Sequence, residues 1–353
     1  MKCWMWHLNI FNIVMNKHEI NELNQHGTYK GELLNGKLLE THISWVILTK
    51  QFAFKIKKKM KYSFLNFSSL EKRKFYCERE LLLNRRFTDI YKEVLPIKRE
   101  GNNLYIGVGK GNIIDYTVRM KRLQTAKQMD HLLRKNRVNK AQIMVLAKKI
   151  ADFHQRTGII YTPFNKAQAK NKFNDILSVV DWIKINLGSI YAELIEKAVM
   201  SSNTFLDQNE QFIAKRIREG FWRDGHGDLH SKNIFLYKDP VIFDCIEFND
   251  TFRQMDVLNE VAFFCMDLEA FQRSDLSKQF MQTYLELFPC MKNLNEEKLF
   301  VYYKCYRTNV RAKVNTLRVM QSADKTEISK FGIEIKKYLK LMDYYMGEFH
   351  SLN

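Results

Sequence analysis

The hydrophobic periodicity of this chain changes once, near residue 123, and that change limits its possible folds more than any other feature. Before it the pattern is strand-like: residues 43–49 form an apolar β-rich run, and Phe52, Phe54 and Ile56 then alternate with Ala53, Lys55 and Lys57 at period two. One helix interrupts the strands. Ser68-Ser69-Leu70-Glu71 reads as a capping box, and Tyr76, Glu80, Leu83 and Phe87 follow on a single helical stripe. After residue 123 the spacing turns helical, with Ile143, Leu146, Ala147, Ile150 and His154 on one face and a long amphipathic stretch at residues 299–318. Residues 219–248 are the exception. They are rich in Gly, Asp, His and Asn and hold two short β-like runs, 234–237 and 241–243, joined by Lys238-Asp239-Pro240. A small β-rich lobe followed by a larger, mainly helical one is an α+β arrangement, and the cleft is expected between the lobes.

Length and composition agree with two lobes. The chain has 353 residues, which at roughly 100 to 200 per domain means two folded units or one two-lobed enzyme. Apolar residues at 46% and charged residues at 27%, with only 4 Pro and 14 Gly, exclude collagen, low-complexity scaffolds and global disorder. No period of about 20 to 50 residues repeats, which removes solenoids and propellers. The net charge of +18 is concentrated early, with 23 basic and 11 acidic groups in residues 1–122. Such a field attracts polyanions, but a Lys-rich solvated surface accounts for it equally well. Cys3, Cys77, Cys245, Cys265, Cys290 and Cys305 include no C-x-x-C pair, so neither a zinc knuckle nor a disulfide framework is expected, and the default location is cytoplasmic. Residues 1–15 are apolar and carry Trp4, Trp6 and Phe11, yet fall short of the roughly 20 residues of a membrane span. They also lack a basic segment followed by a cleavage site, so they read as an extension ahead of a start near Met15.

The densest cluster of reactive side chains is His226-Gly227-Asp228-Leu229-His230-Ser231-Lys232-Asn233, followed by Asp244 at the end of an apolar run. Phosphoryl transfer to a hydroxyl needs a carboxylate to orient the nucleophile and oxygen ligands to hold Mg²⁺ on the phosphates. Asp228, Asn233 and Asp244 supply that set, and the five-residue interval from Asp228 to Asn233 is the one separating base and metal-binding Asn in a kinase catalytic loop. At this point the chain resembles the aminoglycoside phosphotransferase-like kinases, which share the protein-kinase fold and carry His-Gly-Asp-Leu-His-x-x-Asn. The continuation Phe243-Asp244-Cys245-Ile246-Glu247-Phe248-Asn249-Asp250, with Arg253, Asp256 and Ala262-Phe263-Phe264-Cys265-Met266-Asp267-Leu268-Glu269, resembles an uncharacterised bacterial branch of that family. The resemblance spans residues 30–350 and implies a bilobal protein-kinase-like fold.

The first lobe carries an independent sign. Phe52-Ala53-Phe54-Lys55 matches the hydrophobic-Ala-hydrophobic-Lys pattern of the kinase third strand, and alternation puts Ala53 and Lys55 on one face, toward adenine and phosphates respectively. Lys57 shares that face but lacks the Ala two places earlier. A Lys in this role is held by a helix Glu, and Glu80 lies on the apolar stripe of the next helix, where an unpaired carboxylate would be costly. Glu78 is the alternative partner. In the resemblance, the turn Thr41-His42-Ile43-Ser44 covers the phosphates, with Ser44 contributing its hydroxyl, and Tyr116 to Met120 form the hinge that offers backbone groups to adenine. Gly107-Val108-Gly109-Lys110-Gly111 lacks the Ser or Thr and the spacing of a phosphate loop and reads as a hairpin turn.

Blander or rival readings accompany several of these residues. His226-x-Asp228-x-His230 offers three alternating metal ligands, but that reading leaves Asn233, Asp244 and Lys55 without a role. His226 is expected to brace the loop and His154 to be a core histidine; His230 stands open between supporting Asp228 and touching substrate. Arg307, Arg311 and Arg318 recur on one face of the late helix, either toward an anionic acceptor or as a solvated face with ion pairs.

The resulting expectation is an ATP-dependent phosphotransferase acting on the hydroxyl of a small molecule. Residues 1–25 form an extension, 26–122 the nucleotide-binding lobe, and 123–353 the helical lobe with catalytic loop 226–233 and metal-binding hairpin 234–247. Asp228 is the base, Lys55 and Glu80 position phosphates, and Asn233 and Asp244 bind Mg²⁺. Ser44, Ala53, Tyr116 and Met120 line the nucleotide, while His230, Glu247, Arg307 and Arg311 are the acceptor-side candidates. The acceptor, the choice of ATP or GTP and the oligomeric state stay open. Two other classes remain: a nucleotide-binding pseudokinase acting as an interaction module, and a basic nucleic-acid-binding protein, though no RNA-binding module is visible.

Overall fold

The strand Phe52–Lys57 organises the first half of the molecule because its two faces have opposite chemistry. Phe54 and Ile56 point into an apolar cluster with Trp45, Ile47, Ile97, Leu104 and Ile106, whereas Ala53, Lys55 and Lys57 alternate onto the other face. The computed structural model describes residues 15–62, 65–321 and 325–352, with side chains omitted for 325–328. It resolves two compact units, the first ending at Gln124 and including Glu247–Asn249, the second taking Thr125–Ile246 and the chain from Asp250 onward. The expected α+β class is the one observed.

The first unit is built on an eight-stranded sheet, ordered Glu32–Leu33, Thr28–Tyr29, Asn103–Ile106, Tyr91–Glu100, Asn112–Lys121, Phe52–Lys57, Ser44–Leu48, Lys37–Glu40. All neighbours are antiparallel except Thr28–Tyr29 with Asn103–Ile106. The helix Leu70–Asn84 starts at Ser69, whose hydroxyl accepts the Lys72 amide. Ser68, read from sequence as part of the cap, instead donates to Asn66 Oδ1 at 2.7 Å. The Gly107 to Gly111 segment is not a hairpin turn, because the strands on either side of it are not partners: Tyr91–Glu100 lies between them and pairs with both. Nor is the stretch 1–25 wholly an extension. Residues 1–14 lie outside the described residues, but Asn16 and Glu19 form a capping box for helix Lys17–His26. Ile20 and Leu23 of that helix, with Met15, belong to the sheet's apolar cluster.

The second unit is mainly helical. Its centre is Val257–Ala270, buried along nearly its whole length, with Asp256 as N-cap accepting the Leu258 amide at 2.9 Å. Around it lie Lys140–Arg156, Ser274–Leu287 and the long Leu294–Met320. Two short antiparallel pairs, Trp222–Asp224 with Gln254–Asp256 and Ile234–Phe235 with Val241–Ile242, interrupt the helices and frame residues 225–233. Among the described residues no helix is long and apolar enough to cross a membrane.

One buried side chain ties this unit together. Arg216 is fully buried and donates to both oxygens of Asp256 at 2.6 and 3.0 Å, to Glu296 at 3.1 Å and to the Cys290 carbonyl at 2.9 Å. Removing one partner of such a network leaves uncompensated charge inside the protein. Arg216→Ala is therefore expected to destabilise the fold by about 3 to 5 kcal/mol in urea unfolding followed by circular dichroism.

Candidate active site

In the first unit the sheet face carrying Lys55 and Lys57 packs under the helix Leu70–Asn84, and the contact is ionic where a sheet and helix usually meet through apolar side chains. Glu80 is fully buried, with Oε1 accepting from Lys55 at 2.7 Å and Oε2 from Lys57 at 2.7 Å. Lys57 also pairs with Glu247, itself buried. Two turns earlier Arg73 donates to Asp115 at 2.8 Å. Burial alone pushes the Glu80 carboxyl upward, but the two ammonium groups outweigh it and hold the group at about 2. Glu247 shares its one lysine with Glu80 and feels that carboxylate's repulsion, so burial prevails and its carboxyl is raised. The rival lysine of the sequence reading is thus a second partner of the same carboxylate. Glu78, by contrast, is exposed and sits 3.8 Å from Lys74.

Several residues expected to meet nucleotide or acceptor lie elsewhere than anticipated. Ala53 and Met120 are direct cross-strand partners on the Lys55 face, both nearly buried. Tyr116 and Met120 are not hinge residues, however. Both lie inside the strand Asn112–Lys121: Met120 is paired on both edges, with Ala53 and Tyr91, and Tyr116 on one, with Pro96. The change of unit comes only after Gln124. Ser44 does not offer its hydroxyl to a phosphate: it is fully buried opposite Lys57, and its amide is taken by Thr41 Oγ1 at 2.9 Å. Glu247 likewise is committed to Lys57 and unsuited to acceptor contact. Lys58, just after the strand Phe52–Lys57, pairs with Glu40 at 2.6 Å.

In the second unit the loop 225–233 is held from beneath by Glu260. One carboxylate oxygen accepts the amides of His226 and Gly227 at 2.7 and 2.6 Å; the other meets His154 Nε2 at 2.7 Å. His154 is completed by Tyr284 Oη at 2.7 Å. Against the upward push of burial, these donors keep the Glu260 carboxyl at about 2. The approach demands glycine. A Cβ on Gly225 would stand 2.4 Å from a Glu260 oxygen, and Gly227 has φ +88° with the Phe252 carbonyl 2.9 Å from where a Cβ would be.

With the loop so fixed, the reactive side chains converge. Asn233 Nδ2 donates to the Asp228 carbonyl at 3.0 Å and to its carboxylate at 2.9 Å; His230 Nε2 lies 3.2 Å from the same carboxylate. The Asp228 side chain remains 39% exposed, so an incoming hydroxyl can reach it. Burial would raise its carboxyl, but His230, Arg311 and His226 hold it well below the usual range, and it is a carboxylate at neutral pH. His226 braces the loop, its Nε2 meeting the Phe243 carbonyl at 2.9 Å and Nδ1 accepting the Asp228 amide at 3.2 Å; both ring nitrogens are occupied, and burial lowers its pKa. Among the described residues no three His, Cys, Asp or Glu side chains are grouped to hold a metal, which removes the His-Asp-His hydrolase reading.

Asp244 follows the strand Val241–Ile242 in a left-handed conformation at φ +64°, unusual for a side-chain-bearing residue. It is bracketed by backbone bonds from Phe243 N to the Asn233 carbonyl at 3.0 Å and from Ile246 N to the His226 carbonyl at 3.1 Å. These bonds keep it beside Asn233. Arg307 is not an acceptor contact. It is buried and spends its guanidinium on Asn259 at 2.7 Å, the Gly227 carbonyl at 3.3 Å and Met255 Sδ at 2.9 Å.

Sequence reasoning missed Glu260 and gave Asp267 no role beyond its place in the quoted run, and it weighed Lys57 only as a rival to Lys55. Asp267 accepts the Ser231 amide at 2.8 Å, clamping the far end of the loop. A signal existed: Glu260 and Asp267 are seven apart on one face of an otherwise apolar helix, the same anomaly that singled out Glu80.

No family model matches the chain. Uncharacterized proteins of Mycobacterium tuberculosis and Mycobacterium bovis are each 28% identical over 291 residues, covering 80% of this chain and 55% of theirs. The chain thus spans about half the length of the curated relatives it matches. Among solved structures, the amicoumacin kinase in complex with AMP-PNP, Ca²⁺ and Ami is similar with a TM-score of 0.54 at 10% identity, over 96% of this chain and 98% of that one.

The Glu80 network generates a test. Its folded pKa of about 2, against an ordinary 4.5, contributes stability fully present above about pH 5 and lost as the pH falls through 4.5 toward 2. The shift corresponds to about 3 kcal/mol, partly offset by the opposite shift of Glu247. Urea midpoints between pH 7 and pH 3 are expected to fall steeply for the natural chain and less steeply for Glu80→Gln.

At this level of sequence identity the structural likeness shows the fold alone: the chain has the α+β, protein-kinase-like fold of the amicoumacin kinase structure.

Proposed function

We propose that this chain is an ATP-dependent phosphotransferase that moves the γ-phosphate to the hydroxyl of a small molecule. The observation carrying the reading is the rigidly held, solvent-open carboxylate of Asp228, hydrogen-bonded to the Asn233 amide five residues on. In the reaction the acceptor oxygen forms a bond to the γ-phosphorus as the bond to the β–γ bridging oxygen breaks, ADP leaves, and the hydroxyl proton passes by way of Asp228 to solvent. A carboxylate with so low a pKa is a weak base. Its role is to orient the hydroxyl and accept the proton late, which suits a loose transition state with little negative charge removed from the nucleophile.

The donor set suits a hard divalent cation. Asn233 commits its amide N–H groups to Asp228, which leaves its carbonyl oxygen, and Asp244 adds a carboxylate kept beside it by the hairpin. Mg²⁺ held by Asn233 and Asp244 would neutralise charge on the transferring phosphates. Lys55, oriented by Glu80, is the phosphate-positioning lysine, and Ala53 with Met120 offers a small apolar platform to adenine. The amicoumacin kinase neighbour was solved with a nucleotide analogue and a divalent cation, which supports the same cofactor class here.

Asp228→Asn retains the size and most hydrogen bonds of the side chain, so its expected loss of about 10² to 10⁴ in transfer rate reports chemistry and leaves folding intact. ATP consumption with Mg²⁺ across an acceptor panel measures it; unchanged turnover in the variant would refute the role.

A further inference from the structure

Two lysines meet Glu80, and their surroundings give them different roles. The Lys55 side chain keeps 11% exposure and the Lys57 side chain none, so Lys55 is the one a ligand can reach. Lys57 is enclosed. Its ammonium stands 4.9 Å from the centre of the buried Phe67 ring and pairs with Glu80 Oε2 at 2.7 Å and with Glu247, 190 positions further along the chain. Lys55, Lys57, Glu80 and Glu247 together carry no net charge, and with Lys57 in place Glu80 stays paired when Lys55 turns toward a phosphate. Compared with apolar side chains of the same volume, a buried ammonium shared by two carboxylates adds little net stability. What it supplies is position: it fixes one carboxylate against the other.

The second of those carboxylates is close in sequence to Asp244. Glu247 follows it by three residues, and Glu247–Asn249 belong to the first unit although Ile246 and Asp250, on either side, belong to the second. The backbone leading up to Glu247 is held within the second unit. Phe243 N donates to the Asn233 carbonyl at 3.0 Å, Ile246 N donates to the His226 carbonyl at 3.1 Å, and the Ile246 carbonyl accepts from Arg253 at 2.9 Å. Asp244 lies among these bonds at φ +64°. A residue with a side chain keeps such a backbone only where its surroundings over-determine it. Glu247 on Lys57 is the next anchor along the chain, and the first one made by the unit that carries Lys55.

We infer that Lys57 is a positioning residue for the metal as well as for the nucleotide: by holding Glu80 and Glu247 on one ammonium, it anchors the segment bearing Asp244 to the helix that orients Lys55. This deepens the transferase reading and rests on it for the roles of Lys55 and Asp244. Lys57 touches neither phosphate nor metal and acts through its two carboxylates. The next lysine, Lys58, has no such link, since its carboxylate partner is Glu40 on the neighbouring strand Lys37–Glu40.

The test is calorimetric titration of the full chain with AMP-PNP, in Mg²⁺ and in EDTA, for the natural chain and for four variants. The first combines Lys57→Met with Glu247→Gln. It removes one charge of each sign, so Glu80 keeps Lys55 and no buried charge is left over; circular dichroism verifies its folding. The readout is the ratio of affinity in Mg²⁺ to affinity in EDTA, which a lysine that only stabilises the fold would not move in a folded variant. The double variant is expected to lower this ratio about tenfold or more, as losing a group that orients metal ligands does, while affinity in EDTA changes little. Lys57→Arg, which keeps the charge, is expected to retain most of the ratio. Glu247→Gln, which keeps the size and a hydrogen bond, is expected to fall between, and Lys58→Gln to leave the ratio unchanged. A folded double variant with the natural ratio, or with affinity lost equally in Mg²⁺ and EDTA, would overturn the inference and leave the transferase reading standing. Should the double variant not fold, Glu247→Gln decides in the same way, a lowered ratio supporting the inference and a natural one overturning it. A natural chain that shows no Mg²⁺-dependent binding of AMP-PNP would overturn the transferase reading and this inference with it.

Discussion

The buried carboxylate of Glu260 is the constraint on which the candidate active site depends. An ionised carboxylate inside a protein is tolerated only when donors surround it, and here two of the donors are the amides of His226 and Gly227. Satisfying Glu260 therefore fixes the backbone that carries Asp228. Consequences follow outward: Gly225 and Gly227 must be glycine, His226 must turn its ring to Phe243, and the hairpin bearing Asp244 is drawn against Asn233. The reactive groups inherit their positions from a residue that touches no substrate.

The first unit uses the same physics in another form. Its helix and sheet are joined by a seam of opposite charges, Arg73 with Asp115 and Glu80 with Lys55 and Lys57, alongside buried apolar side chains such as Cys77 and Val118. Such a seam adds little net stability compared with well-packed hydrophobic groups. What it provides is register, because each pair matches one helix turn to one strand position. A lysine whose ammonium is held by Glu80 is oriented before any ligand arrives, the preorganisation that the proposed phosphate positioning would need.

How much of this was legible depended on whether a feature is local. The change of periodicity near residue 123, the loop from His226 to Asn233 and the alternation of Phe52 to Lys57 are local patterns, and each can be read without knowing what packs against it. Glu80 was legible because a carboxylate on an apolar stripe announces a missing partner, but deciding between Lys55 and Lys57 needed coordinates, and both lysines contact it. Glu260 and Asp267 obeyed the same rule but were assigned no partner, Asp267 entering the sequence reading only as part of the run from Ala262 to Glu269. The misplacements were long-range. Whether Ser44 turns inward, whether Tyr116 to Met120 have free backbone, and whether the strands flanking Gly107 to Gly111 are partners are all decided by Tyr91–Glu100 and Phe52–Lys57, segments far away in sequence.

The central claim is that the chain handles a nucleotide together with a divalent metal at the Asn233 and Asp244 oxygens. Calorimetric titration with AMP-PNP, in Mg²⁺ and again in EDTA, for the natural chain and for Asp244→Asn, tests it most directly. Saturable binding that weakens on removing Mg²⁺, and that becomes indifferent to Mg²⁺ in Asp244→Asn, is the predicted result; AMP-PNP affinity identical in all four conditions would contradict the account.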